Sequence, residues 1–267
     1  MLAHARMMAL PDEAALSPAT RRLAGRLAGL VSDARPAVMT PVEAWLVSGP
    51  VARHDTGAFQ VDELAHELSP WMAPHVSEAG VDGRSLVELD VLIGGRLPTV
   101  DGVLAEGAKG FARLVVQMHE LLVADGLGFR TTAVGSVPDR KGERVVYPPP
   151  DAISGQLEAV WKHWACHVDQ SPGFAAVVAM TALMNLHPFA DGNGRVGRVL
   201  FHWTLNRHRA EPVYLPLYEL SAMSECGYLI RLRQAQYHDE WEPLLCYLVM
   251  VAARLLGDLG SHLECSG

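Results

Sequence analysis

Lysine is nearly missing from this chain. Only Lys109, Lys141 and Lys162 are lysines among 22 basic residues in 267 positions. Such a preference for arginine is a compositional mark of a GC-rich genome, and a bacterial origin is expected from it. Positive charge is also in deficit: 30 acidic residues leave a net charge of −8, which argues against binding a nucleic-acid backbone as the main task. Long apolar runs are absent. The longest, residues 244–253, is far short of the roughly 20 residues a membrane helix needs. Residues 1–10 lack the charged region and apolar core of a secretory signal. No membrane role and a cytoplasmic location are expected, although export as an effector would leave no readable mark. Cysteine is scarce. Cys166, Cys226, Cys246 and Cys265 form no C-x-x-C pair and no framework spacing, so a disulfide scaffold is excluded and four reduced thiols are expected.

What is present is a globular composition, 49% apolar and 19% charged, with no repeat and no low-complexity segment. Ser17-Pro18 opens a helix reaching about Asp33. Thr40-Pro41-Val42-Glu43 reads as a capping box with proline at the first helical position, and residues 61–68 read as a further helix. Residues 76–92 are ambiguous. Gly94, Gly95 and Pro98 then punctuate the chain, placing a boundary near 94–104. Helices are expected over 111–123 and 240–256. The pattern is all-α, divided into an N-terminal helical extension at 1–100 and a main domain at 101–267.

The chemistry is concentrated in residues 187–198, His-Pro-Phe-Ala-Asp-Gly-Asn-Gly-Arg-Val-Gly-Arg. Residues 174–186 before it are apolar nearly all round, the mark of a buried central helix. Ser171-Pro172 supplies the start of that helix. Pro188 pushes His187 out of α geometry and ends it. Gly192 and Gly194 permit close approach of the backbone to a ligand. Apolar periodicity resumes at Val196, Val199, Leu200 and Trp203, so a second helix begins near Gly194. A glycine-rich turn feeding a helix N-terminus is an anion site. Arg195 and Arg198 in the first turn oppose the helix dipole, at a cost of a few tenths to about 1 kcal/mol. A bound polyphosphate would more than reverse that cost, so the local conflict marks function. A base (His187), a carboxylate (Asp191), a Gly-Asn-Gly turn and two guanidinium groups together meet the needs of nucleotide phosphate chemistry.

Other histidines read more plainly. His163 and His167 stand four apart, as zinc ligands do on a helix, but no Glu follows His163, so a packing or surface role is expected. His119 reads as a hydrogen-bonded core histidine. His202 and His208 read as helix-surface residues, and the tryptophans as packing groups.

Residues 187–198 resemble the signature of the Fic family, H-P-F-x-[D/E]-G-N-G-R-x-x-R, at all nine specified positions. The resemblance extends over about 105–255. It includes Phe129-Arg130-Thr131-Thr132-Ala133-Val134-Gly135, the proline run Tyr147-Pro148-Pro149-Pro150, Leu215-Pro216-Leu217 and Glu240-Trp241-Glu242-Pro243. It implies an all-α Fic fold whose central helix pair flanks the loop, with a small β-hairpin flap. It also implies transfer of AMP from ATP·Mg²⁺ to a Ser, Thr or Tyr hydroxyl of a target protein. Carried over by residue, His187 is the general base, and Asp191 holds Mg²⁺. Gly192, Asn193, Gly194, Arg195 and Arg198 hold the phosphates, and Phe189 anchors the loop. Thr132, Ala133, Val134 and Gly135 form the flap edge on which the target docks by strand addition. Many relatives carry a Tyr-Tyr pair near the adenine. Tyr228-Leu229 stands there in this chain, so Tyr228 is a candidate for the base pocket and the base stays open.

Relatives often carry an inhibitory helix, [S/T]-x-x-x-E-[G/N], whose Glu pairs with the second motif arginine. Glu106-Gly107 lacks the Ser or Thr, because Gly102 stands there. Ser221 to Glu225 is followed by Cys226. No inhibitory Glu is assigned, which leaves room for an antitoxin-like partner that supplies one, and for a homo-oligomer. Three alternatives accompany the adenylyltransferase reading. One is the same site with UTP, GTP, a phosphocholine donor or a small-molecule acceptor. Another is Doc-type phosphate transfer, disfavoured because Gly194 is kept. The last is a non-catalytic module of a toxin–antitoxin pair, disfavoured by an intact His187 and Asp191.

Overall fold

The computed structural model describes residues 7–34, 84–123, 128–136, 145–218 and 227–256. The sequence readings at 40–43, 61–68 and 221–225 lie outside the described residues. Eight α-helices form the described part: α1 (Pro18–Asp33), α2 (Arg84–Ile93), α3 (Val100–Leu122), α4 (Ile153–His167), α5 (Pro172–Leu186), α6 (Asn193–Leu205), α7 (Gly227–His238) and α8 (Glu242–Leu256). The fold is all-α, as expected, and no helix among the described residues is long and apolar enough to cross a membrane.

The apolar run before the signature becomes the centre of the molecule. Helix α5 is buried on every side and packs against α6, α4, α1 and α7. Proline at its first position sets the start, although the Ser171 side chain makes no cap hydrogen bond. The crossing of α1 on α5 needs a glycine: a Cβ on Gly173 would lie 2.0 Å from the Ala24 carbonyl oxygen. Helix α1 begins as the sequence indicates, with Ser17 Oγ accepting from the Thr20 N–H at 3.0 Å. Its C-terminal carbonyls, orphaned by the end of the helix, are taken by one side chain. Arg209 donates to the carbonyls of Val31 (3.1 Å), Ser32 (2.7 Å) and Ala34 (2.8 Å).

The ambiguous stretch before residue 92 resolves into α2, which packs on α6 and α3. The glycine-rich break that follows ends at Thr99, whose side chain caps α3 through the Gly102 N–H. Gly107 interrupts α3 with φ 70°. The adjacent Glu106 pairs with Arg113, away from the signature.

Two expectations need correction, and a third, the flap, is described only at its two stems, which share one antiparallel bridge, Gly135 to Val146. Ser136 N–H donates to Val145 O at 2.8 Å and Tyr147 N–H to Val134 O at 3.1 Å. Cys166 is an exposed free thiol, but Cys246 is disulfide-bonded, because pairing depends on spatial approach that spacing in the chain does not reveal. His202, read as a surface residue, is 1% exposed.

Burial of His202 organises the strap after α6. Its Nδ1–H donates to the Arg198 carbonyl (2.7 Å) and its Nε2 accepts from the Leu215 N–H (2.9 Å). Asn206 exchanges two hydrogen bonds with the backbone of Val213. This requires neutral imidazole, and burial pushes the His202 pKa down to about 3. The unfolded chain, near 6.5, binds the proton that the native state refuses. Stability is therefore complete above about 6.5 and is lost as pH falls from there. The urea midpoint should drop steadily between pH 6.5 and 4.5, with a shallower slope in His202→Leu. Equal slopes would contradict this role.

Candidate active site

The signature loop is built from the end of α5, the start of α6 and the two flap stems. His187 closes α5 in the left-handed region, φ 52° and ψ 58°, an uncommon conformation for a non-glycine residue. Pro188 excludes the α conformation at His187, and Arg130 stabilises the result. Its guanidinium donates to the carbonyls of His187 (2.7 Å), Thr132 (2.9 Å), Pro148 and Leu186, while its N–H donates to Pro188 O at 2.9 Å. One side chain thus joins the helix end to both flap stems. The sequence segment containing Arg130 is recognisable, but this role is not, because its acceptors are carbonyls far apart in the chain.

Phe189 anchors the loop as expected. It is fully buried, stacked on the His119 ring at 3.8 Å and 2°, with Phe129 at 5.5 Å on the tilt. His119, a core histidine as read, also bonds through Nε2 to the Asp191 carbonyl at 3.0 Å. Asn193 fastens the loop from within: its side chain accepts from Phe189 N–H and donates to Phe189 O, both at 2.9 Å. Its amide is therefore committed to the loop, and only its backbone N–H faces a ligand. Gly192 has φ 81°, and a Cβ there would lie 2.7 Å from Val123 Cγ2, so no other residue fits. The first intrahelical bond of α6 is Val196 N–H to Gly192 O, 3.0 Å. The N–H groups of Asn193, Gly194 and Arg195 precede it and are the orphan donors of a helix N-terminus.

Around this cradle the charged groups are separated. Asp191 is 83% exposed at its side chain and pairs with Arg195 at 3.0 Å, while Arg195 also donates to Leu122 O at 2.9 Å. A partly exposed pair of this kind is weak, so the carboxylate is free to exchange partners. One exposed carboxylate beside a phosphate cradle suits Mg²⁺, which keeps most ligands as water and substrate oxygens. His187 is half-buried, with Nδ1 3.3 Å from the Met184 carbonyl. Burial pushes its pKa down to about 4, helped by Arg130 and opposed by the Met184 contact and Asp191. The imidazole is neutral at pH 7. With Nδ1–H directed at Met184, Nε2 carries the lone pair, and it makes no hydrogen bond among the described residues.

Arg198 is not open to a ligand. Its Nε lies 3.1 and 3.0 Å from the two carboxylate oxygens of Glu88, and its Nη2 donates to Glu88 as well. Glu88, on α2, is 0% exposed. The Tyr214 hydroxyl donates to Glu88 Oε2 at 2.9 Å, and the Tyr218 ring lies 5.2 Å from the guanidinium. Burial alone would lower the Arg198 pKa, but the charge and hydrogen bonds of Glu88 outweigh it and hold the group above its ordinary value. This is the pairing that the sequence resemblance associates with an inhibitory helix. It went unassigned because Arg84 and Leu89 stand where the pattern wants Ser or Thr and Gly or Asn. The remaining sequence candidates are placed as follows. Thr132, Ala133 and Gly135 are exposed on the flap stem and Val134 is half-buried. Tyr228 is 2% exposed, with its hydroxyl toward the sulfurs of Met180 and Met184. In this state it offers no face to a nucleotide base.

Residues 112–205 match the Fic/DOC family. The chain carries a Fic domain. The fold around it is shared with a Fic domain containing signaling protein from Bacteroides thetaiotaomicron VPI-5482 (TM-score 0.52, 15% identity, 90% of this chain and 94% of that one). It is also shared with a Fic family protein from Desulfovibrio desulfuricans G20 (TM-score 0.51, 16% identity, 93% and 77%). In sequence, the Fic segment is similar to a uridine 5'-monophosphate transferase from Xanthomonas campestris pv. campestris (strain 8004), 29% identical over 124 residues, 40% of this chain and 23% of that protein. It is also similar to the protein adenylyltransferase Fic of Drosophila grimshawi, 28% identical over 150 residues, 51% and 29%. The chain thus spans about a quarter of the length of the curated relatives it matches.

Proposed function

We propose that this Fic domain is a nucleotidyltransferase that moves AMP from ATP to a Ser, Thr or Tyr hydroxyl of a protein segment docked on the flap. The observation that carries the reading is the pairing of a neutral His187, its Nε2 without a hydrogen bond among the described residues, with a helix N-terminus that begins six residues on at Asn193. The acceptor hydroxyl gives its proton to His187 Nε2 as its oxygen attacks the α-phosphorus. The bond between the α-phosphorus and the bridging oxygen breaks, and pyrophosphate leaves. The N–H groups of Asn193, Gly194 and Arg195 receive phosphate oxygens, and the Arg195 guanidinium adds a charged donor; catalysis is mainly positioning and charge stabilisation. Asp191 would hold Mg²⁺, which offsets phosphate charge when bound. Arg198 joins the phosphates once it leaves Glu88, so the domain rests in an inhibited state with the inhibitory carboxylate in cis.

UTP as donor is the second reading. The similarity to a protein named as a uridine 5'-monophosphate transferase supports it, as does a Tyr228 that builds no base pocket in this state. Glu88→Ala protein incubated with Mg²⁺ and one labelled nucleoside triphosphate at a time, alone and with lysate proteins, decides between them. A mass gain of one nucleoside monophosphate on a protein names the donor. No incorporation from any of the four nucleotides would overturn the transferase reading.

A further inference from the structure

The stem residue just before the proline run lies against the base. The Tyr147 ring stacks on the His187 imidazole with centroids 3.7 Å apart and planes within 4°. We propose that Tyr147 is a positioning residue for the transfer reaction, holding the imidazole plane of His187 so that its Nε2 edge faces the acceptor, and linking that orientation to the flap. The inference deepens the nucleotidyltransferase reading and rests on it.

His187 needs such a support. Its left-handed backbone ends the helix, so helical packing does not set its rotamer. The only hydrogen bond of its side chain among the described residues, to Met184 O, is long at 3.3 Å. Tyr147, in contrast, is held on both sides. Pro148 restricts it to extended geometry, its N–H bonds to Val134 O on the opposite stem, and the next carbonyl, Pro148 O, is taken by Arg130, which also grips His187 O. A parallel stack covers one face of the imidazole and leaves its edge open, which is the geometry an in-plane lone pair requires. A target segment that adds to the free edge of the Thr132–Gly135 stem pairs with the stem that is itself hydrogen-bonded to the one carrying Tyr147. Docking and base alignment therefore share one rigid unit.

The same ring contributes to the burial that keeps His187 neutral. The other groups facing the imidazole are the Arg130 guanidinium, which also disfavours its protonation, and the Asp191 carboxylate, which favours it. Tyr147 is itself faced by Tyr237 and Arg233 of α7.

Tyr147→Ala, Tyr147→Leu and Tyr147→Phe made in the Glu88→Ala protein test the proposal. Ala and Leu should lower kcat by about tenfold or more, the scale of a misplaced catalytic group, with the KM for nucleotide changed less than twofold. Phe should restore kcat, because the ring plane and not the hydroxyl is needed. By NMR, the His187 imidazole should titrate at higher pH in Tyr147→Ala than in the parent and return to the parent midpoint in Tyr147→Phe. An unshifted imidazole midpoint, an unchanged kcat, or a loss in Phe equal to that in Ala would overturn the proposal. The NMR titration reads the stack without turnover. A parent that transfers nothing while its His187 titration still responds to Tyr147→Ala therefore condemns the proposed reaction and not the stack.

Discussion

His187→Ala in the Glu88→Ala protein should lower transfer by about 10²–10⁴-fold, the range lost with a positioned general base, while leaving nucleotide binding within a factor of two. The two effects separate because the residues involved separate. In the proposed reaction the phosphates would meet the α6 N-terminus and Arg195, none of which depends on the imidazole. The loop that presents them is held by Phe189, Asn193 and Arg130, through the ring stack on His119 and backbone hydrogen bonds that survive the substitution. Alanine accepts the left-handed backbone no better than histidine does, so folding is little changed by the φ requirement. Nucleotide affinity by calorimetry and turnover by incorporated label provide the comparison. Turnover equal to that of the parent would remove His187 as the base.

Glu88→Ala should raise transfer by roughly 10–100-fold, the size of a typical coupling between two states of a site, and lower the KM for the triphosphate. Arg198 cannot serve a phosphate while both its Nε and Nη2 donate to a fully buried carboxylate. The carboxylate itself also repels phosphate in a site where water screens poorly. Removing it leaves a buried guanidinium without its partner, which should cost about 3–5 kcal/mol of stability. A bound triphosphate should return part of that stability by mass action. The signature of release is therefore a variant that melts earlier than wild type, turns over faster, and gains more in melting temperature from ATP·Mg²⁺ than wild type does. A variant that melts earlier but neither turns over faster nor responds more to nucleotide would mean that the pair is structural.

How much was legible beforehand depends on how far apart the interacting residues lie. The start and end of α5 and the start of α6 within one residue are written in Ser171-Pro172, His187-Pro188 and the Gly-Asn-Gly turn, whereas the left-handed turn at His187 is not, because a following proline by itself favours extended backbone. The legible features are local steric or capping effects. The buried state of α5 follows from its all-apolar surface, whereas Phe189 as loop anchor is implied by the family resemblance. His202 was misread because its environment is made by the strap at 213–217, which folds back on α6. No pattern within the helix announces that.

The sequence by itself determined where the candidate site lies, because the candidate base, the carboxylate and the glycine-rich turn stand in twelve consecutive residues whose mutual geometry a single loop between two helices imposes. Only the tertiary structure decided the state of that site. Glu88 reaches Arg198 across 110 positions, Tyr147 reaches His187 across 40, and Arg130 gathers carbonyls from three segments. Contacts of this kind arise from the packing of α2 on α6 and of the flap stems on the end of α5. Packing leaves no periodic or motif signal in the residues that meet.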